Sequence, residues 1–257
     1  MQRKEYWNEE YLKYWKQKVS ESNGEDSLLN DINNTKAPSD DISYLYFKKF
    51  DIKSQDKILD FGCGYGRSYS YFEITQGQYY GIDISNAMIQ SFKEKYPQVA
   101  NQLHVAEGEN LPFENNFFNF IVCFGVFDAC YQEEALFEML RVLKHGGNIL
   151  LTGKNFNYCN NDTEALIAEE KAREKKHPNY FTDVNYMIQQ LLAHKAIIRD
   201  AYYFKKRGDF SKNLYCKEPM EQFYEYALFI EKTPDYIYDR YDKFSYEYSQ
   251  TYKQLNK

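Results

Sequence analysis

Four histidines in 257 residues, with no His-x-x-x-His pair among them, leave no plain set of metal ligands, and no metal is expected. The five cysteines (63, 123, 130, 159 and 216) make no C-x-x-C pair and no disulfide-like spacing. That excludes a zinc knuckle or a stapled secreted scaffold and fits a reducing, cytoplasmic setting. Long apolar runs are missing as well, none approaching the roughly eighteen residues that a membrane span needs. The charged start, Met1-Gln2-Arg3-Lys4, is followed by no apolar stretch, so no signal peptide is expected. Long basic runs are also missing and the net charge is −6, which argues against nucleic acid as a partner, because phosphate binding needs a basic surface. Internal repeats and low-complexity tracts are lacking too.

What is abundant is tyrosine, 26 copies against 2 tryptophans and 19 phenylalanines. A ring with a polar tip suits the lining of an amphipathic pocket, although a coding bias would give the same count. With 43% hydrophobic and 27% charged residues, the chain is long enough to bury a sizeable core as one large domain, or one domain with a cap. Lys171, Arg173, Lys175 and Lys176 form a short basic cluster that reads as a solvated helix face paired with Glu169, Glu170 and Glu174.

One segment carries most of the chemistry. Ile58-Leu59-Asp60-Phe61-Gly62-Cys63-Gly64-Tyr65-Gly66 is an apolar run ending at an acidic residue and three alternating glycines, which reads as a strand, a tight turn and the start of a helix. Glycine lets a ligand lie against bare backbone amides. A second run, Gln78-Tyr79-Tyr80-Gly81-Ile82-Asp83, puts a carboxylate at the end of the next strand, where it can accept from two ribose hydroxyls. A dinucleotide loop would run Gly-x-Gly-x-x-Gly, but Arg67 holds the last glycine position. Asp60 would face pyrophosphate charge in such a site, and suits instead a cationic amino-acid tail.

This pattern resembles that of the class I S-adenosylmethionine-dependent methyltransferases, over roughly residues 42–153. Three further segments carry the resemblance: Glu107-Gly108-Glu109-Asn110-Leu111-Pro112-Phe113, Asn119-Phe120-Ile121-Val122-Cys123-Phe124-Gly125-Val126-Phe127, and Arg141-Val142-Leu143-Lys144-His145-Gly146-Gly147-Asn148-Ile149-Leu150-Leu151. Asn119 stands where that family usually has aspartate, and His145 where it has proline. The resemblance implies an α/β fold with a doubly wound, mostly parallel seven-stranded sheet, an N-terminal helix and C-terminal cap insertions. It also implies S-adenosyl-L-methionine as cofactor, with S-adenosyl-L-homocysteine as product.

On that reading Asp60, Gly62, Cys63 and Gly64 hold the methionine end, and Asp83 the ribose. Ile84 and Met88 flank the adenine, which the segment of Glu107, Gly108 and Glu109 holds, while Phe124 faces the sulfonium. Asp128 is the candidate base or acceptor-orienting group, against a helix-capping role. Tyr131 and His177 are candidates to complete the acceptor pocket. Trp7, Tyr11, Tyr14 and Trp15 recur at helical steps in residues 5–19 and make either a lid over the cofactor or a packing stripe.

The strand and helix periodicities predict strands at 57–61, 78–82, 102–106, 118–124 and 147–153, with helices between them. Ser85 is the expected cap of the helix at 85–96. Four segments follow: 1–41 as helical lid and linker, 42–153 as cofactor-binding core, 154–232 as cap insertion, closing helix and hairpin, and 233–257 as a Tyr-rich tail. The function expected is methyl transfer to an oxygen or nitrogen of a small polar acceptor, such as a saccharide or nucleotide-activated precursor. A silent cofactor-binding scaffold and a nicotinamide oxidoreductase are the alternatives. Oligomeric state is not legible.

Overall fold

The computed structural model describes residues 2–21 and 38–257; residues 22–37, inside the segment read at 1–41 as lid and linker, lie outside the described residues. The strands are β1 (Lys57–Phe61), β2 (Gln78–Asp83), β3 (Leu103–Val105), β4 (Phe118–Cys123), β5 (Leu143–Lys154), β6 (Phe181–Thr182), β7 (Ile197–Phe204), β8 (Glu225–Glu231) and β9 (Ser245–Tyr246). The helices are α1 (Gln2–Tyr6), α2 (Glu9–Glu21), α3 (Pro38–Phe47), α4 (Tyr69–Glu73), α5 (Asn86–Lys95), α6 (Gln132–Val142), α7 (Thr163–Glu174), α8 (Val184–Ala193) and α9 (Gln250–Leu255).

Seven strands form one sheet in the order β3-β2-β1-β4-β5-β8-β7. The pairs from β3 to β5 are parallel, and β8 lies antiparallel between β5 and β7. This is the doubly wound, mostly parallel sheet that the alternation of strands and helices implies.

Period-two alternation divides the apolar residues between two faces. Leu59, Ile121, Ile149, Leu151 and Leu228 face one core with Leu136, Met139, Leu140, Met187 and Leu191 from α6 and α8. Ile58, Val122, Leu150, Ala227 and Phe229 face the other, with Tyr46, Phe47, Phe72 and Phe92 from α3, α4 and α5. Each fully buried Leu, Ile or Phe contributes roughly 1.5–3 kcal/mol.

Helix starts follow their caps. The Ser85 hydroxyl accepts from Met88 N at 3.3 Å, and Asp183 caps α8 through Tyr186 N at 3.0 Å. The single helix read at 5–19 is instead two, because the Asn8 side chain accepts from Glu10 N and Tyr11 N and starts a new helix there.

Two family departures have structural partners. Asn119 accepts from Lys57 N at 3.0 Å and Lys144 Nζ at 2.9 Å, and His145 Nδ1 meets Thr233 O at 2.7 Å. The Tyr-rich tail joins the core: Tyr236, Tyr241 and Phe244 are buried there, and β9 pairs with β6. Both Glu133 oxygens hold that segment, by accepting from Phe244 N, Ser245 N and Ser245 Oγ at 2.7–2.8 Å.

Candidate functional site

The carboxyl ends of β1, β2, β4 and β5 open into one cavity of about 590 Å³, within the usual range for small-molecule sites. On its floor the chain leaves β1 through Gly62 and Gly64. Gly62 has φ +80°, and a Cβ there would sit 2.4 Å from Val126 Cγ2. Gly64 has φ +53°, but a Cβ would meet nothing within 4 Å, because the space above it is the cavity. Gly64 N donates to Asp83 Oδ2 at 3.0 Å, while Ser85 N donates to Asp83 Oδ1 at 2.8 Å.

Asp60 and Asp83 form an acid pair beneath this loop. Asp60 is buried and accepts from the Tyr79 hydroxyl at 2.9 Å. Burial pushes its carboxyl up to about 7, the Tyr79 bond opposing and the Asp83 charge adding to the rise. Burial likewise pushes Asp83 up to about 6, against the two backbone donors. Two carboxyls held this far above their usual range favour a cationic ligand.

Of the residues expected at the cofactor, Asp60, Gly62, Cys63, Gly64, Asp83, Ile84, Met88, Gly108, Glu109 and Phe124 all line this cavity. Glu107 does not; its carboxylate pairs with Lys4 at 2.7 Å. Glu109 lines the cavity while accepting from Tyr131 N at 2.7 Å.

Of the expected acceptor-side residues, Asp128 and His177 line the cavity, whereas Tyr131 lies outside it and is 50% exposed. The Asp128 carboxylate is occupied by Lys154 Nζ at 3.0 Å, which also reaches Glu169 Oε1 at 3.1 Å and Asn179 Oδ1 at 2.9 Å. Glu169 further accepts from Asn179 Nδ2 and the Tyr224 hydroxyl. Burial pulls the Lys154 ammonium down, but Asp128, Tyr224 and Glu169 outweigh it and hold it well above the ordinary lysine range. Glu169 is therefore no member of a solvated face; it is 1% exposed.

Lys154, Glu169, Arg207, Glu225 and Tyr226 escaped the sequence reading. A lysine closing the apolar run Ile149 to Gly153 was the one legible sign, since a charge there needs a buried partner.

The N-terminal helices also contribute to the lining. Trp7, Tyr11 and Trp15 line the cavity. Tyr6 and Trp7 meet the His177 ring edge-on at 5.0 and 5.2 Å, and the Arg67 guanidinium lies over Trp15 at 4.8 Å. Burial is the main cause lowering His177, so the ring is neutral at pH 7. Tyr14 is 43% exposed and lies outside the lining. Among the described residues no group of three His, Cys, Asp or Glu side chains is placed to hold a metal ion. No helix among them is long and apolar enough to cross a membrane.

Residues 59–151 match the family profile described as a methyltransferase domain. The chain carries a class I S-adenosylmethionine-dependent methyltransferase domain. Its glycine loop, acid pair and open space above Gly64 fit that cofactor, with its cationic amino acid and its ribose.

An uncharacterised protein of Methanocaldococcus jannaschii is 33% identical over 127 residues, 49% of this chain and 50% of that one. A ubiquinone/menaquinone biosynthesis C-methyltransferase of Neisseria gonorrhoeae is 35% identical over 106 residues, 39% of this chain and 43% of the relative. The chain thus spans half or less of the length of these curated relatives.

Among solved structures, the MccD protein superposes with a TM-score of 0.56 at 20% identity, covering 75% of this chain and 97% of that one. The geranyl diphosphate C-methyltransferase of Streptomyces coelicolor, in complex with S-adenosyl-L-homocysteine, does so at 0.55 and 12%, covering 75% of this chain and 77% of that one. At these identities the likeness is one of fold.

Proposed function

We propose that the protein transfers a methyl group from S-adenosylmethionine to an oxygen or nitrogen of a small polar acceptor. The observation that carries this is the continuity of one cavity, from the Asp60–Asp83 acid pair at one end to the charged wall of Asp128, Lys154 and Glu225 at the other. The methionine end lies against Asp60, Gly62 and Gly64, the ribose against Asp83, and the adenine between Ile84 and Met88, with Gly108 and Glu109 at its edge. The reactive centre then falls beside Phe124. Methyl transfer from a sulfonium is an in-line displacement in which alignment is worth roughly 7–11 kcal/mol. The cofactor supplies the activated methyl group.

Acceptor polarity is supported by the wall beyond Phe124, which presents Asp128, Lys154, His177, Arg207 and Glu225 to the cavity. That wall suits a hydroxylated or amino-bearing molecule, such as a saccharide or a nucleotide-activated precursor. The curated relatives matched over part of their length include C-methyltransferases, and carbon acceptors belong in the same screen.

The test has two stages. Calorimetric titration of S-adenosylhomocysteine into wild type and Asp83→Ala, with NADH as control, is expected to show binding that the variant weakens at least about tenfold. Methyl-labelled donor is then offered to panels of saccharides, nucleotide sugars, amines and quinols. Binding of NADH in place of S-adenosylhomocysteine, or label transfer to no panel, refutes the reading.

A further inference from the structure

The charged wall of the cavity does not balance. Lys154 is taken up by Asp128 and Glu169. The Arg207 guanidinium donates to the Tyr224 hydroxyl at 3.0 Å and has no carboxylate within ion-pair distance among the described residues. Glu225 opens β8 and lines the cavity, with Lys154 of β5 and Phe204 of β7 as its register partners. Among the described residues no donor bonds its carboxylate. The groups whose charges reach it are Lys154 from β5, Arg207 from the loop after β7, Asp128 from the turn after β4 and Glu169 from α7, and the Tyr224 hydroxyl precedes it on its own strand. Three carboxylates stand against two cations, leaving one negative charge, and Glu225 is the carboxylate free to change it.

We propose that Glu225 is the group that takes up the proton released when the acceptor is methylated. This rests on the methyl-transfer reading above. The acceptor's lone pair forms the new bond to the methyl carbon as the carbon–sulfur bond breaks. The electron pair of that bond stays on sulfur, so the sulfonium becomes a neutral thioether. The acceptor's proton passes to the Glu225 carboxylate. Charge is conserved within the cavity: one sulfonium against one carboxylate before the step, a thioether against a carboxylic acid after it.

Asp128, the sequence candidate for this task, is less suited, because protonating it would strip Lys154 of a partner held at 3.0 Å. Burial pushes Glu225 up to about 7, against the pull of Lys154 and Arg207, so both of its protonation states are accessible near neutral pH.

The proton can be followed without an acceptor. S-adenosylmethionine stands for the state before transfer and S-adenosylhomocysteine for the state after it. Both carry the same ammonium and ribose, so proton changes at Asp60 and Asp83 cancel in the comparison. Each ligand is titrated calorimetrically at pH 7 in buffers of different ionisation enthalpy, which counts the protons exchanged on binding.

The wild type is expected to hold roughly half a proton more with the thioether than with the sulfonium. Glu225→Gln is expected to bind both ligands with that difference gone, and Asp128→Asn to retain it. No difference in the wild type, a difference surviving in Glu225→Gln, or its loss only in Asp128→Asn would each overturn the proposal. Failure of the wild type to bind either ligand would overturn the methyl-transfer reading itself, and this inference with it.

Discussion

Asp60→Asn should strengthen the empty protein while weakening its ligand, and the two effects have one cause. The buried Asp60 carboxyl is held at about 7, against an ordinary value near 4, so its ionised form is destabilised by roughly 4 kcal/mol at 1.36 kcal/mol per unit. A group raised in this way contributes stability that is fully present below its unfolded value and is lost as pH rises through the folded one.

The wild type therefore loses stability between about pH 4 and pH 7 on this account and is flat above. Asparagine keeps the shape and the bond from Tyr79 but carries no charge. We expect it to recover about half of the penalty, on the order of 2 kcal/mol at pH 8, which is about 4–8 °C in Tm for a chain of this size. At pH 4.5 the gap should close. The same change removes a charge-assisted bond worth about 1.5–3 kcal/mol to the ligand's ammonium, so S-adenosylhomocysteine should bind roughly ten- to a hundredfold more weakly at pH 8. Thermal melts at the two pH values and one calorimetric titration decide it. A variant less stable than wild type at pH 8, or a stability gap independent of pH, would refute the reasoning about burial.

Three other outcomes follow from the same geometry. Gly64→Ala should cost about 1–2 kcal/mol of stability from its positive φ alone, whereas Gly62→Ala adds a 2.4 Å clash with Val126 and should cost visibly more; chemical denaturation compares them. Lys154→Met should cost about 3–5 kcal/mol, because it leaves Asp128 and Glu169 buried without their cation; a loss under 1 kcal/mol on urea titration would show the network to be solvated. Removing residues 1–20 should leave a folded protein that binds S-adenosylhomocysteine at least about fivefold more weakly (near 1 kcal/mol), since Trp7, Tyr11 and Trp15 wall the cavity; unchanged affinity would make those rings mere packing.

The glycine-loop half of the candidate site was legible in the order of its residues because each part of it is local. A strand, a glycine turn and the next strand's terminal carboxylate lie within the 26 residues of 58–83, and backbone sterics and period-two alternation place Asp60, Gly62, Gly64 and Asp83 together without help from the rest of the chain. Ser85 as a helix cap is equally local. The charged half of the candidate site was legible only at Asp128 and His177, because its residues come from separate elements. Lys154 ends β5, Glu169 lies on α7 in a run that looks solvated, Asp128 follows β4, Arg207 lies in the long loop after β7 and Glu225 opens β8. Only the insertion of antiparallel β8 beside β5 brings Glu225 into register with Lys154. Burial then turns scattered charges into a network whose pairing and surplus no spacing rule encodes. Local sequence determined where Asp60, Gly64 and Asp83 would meet; tertiary packing alone decided which charges surround Glu225 on the cavity wall.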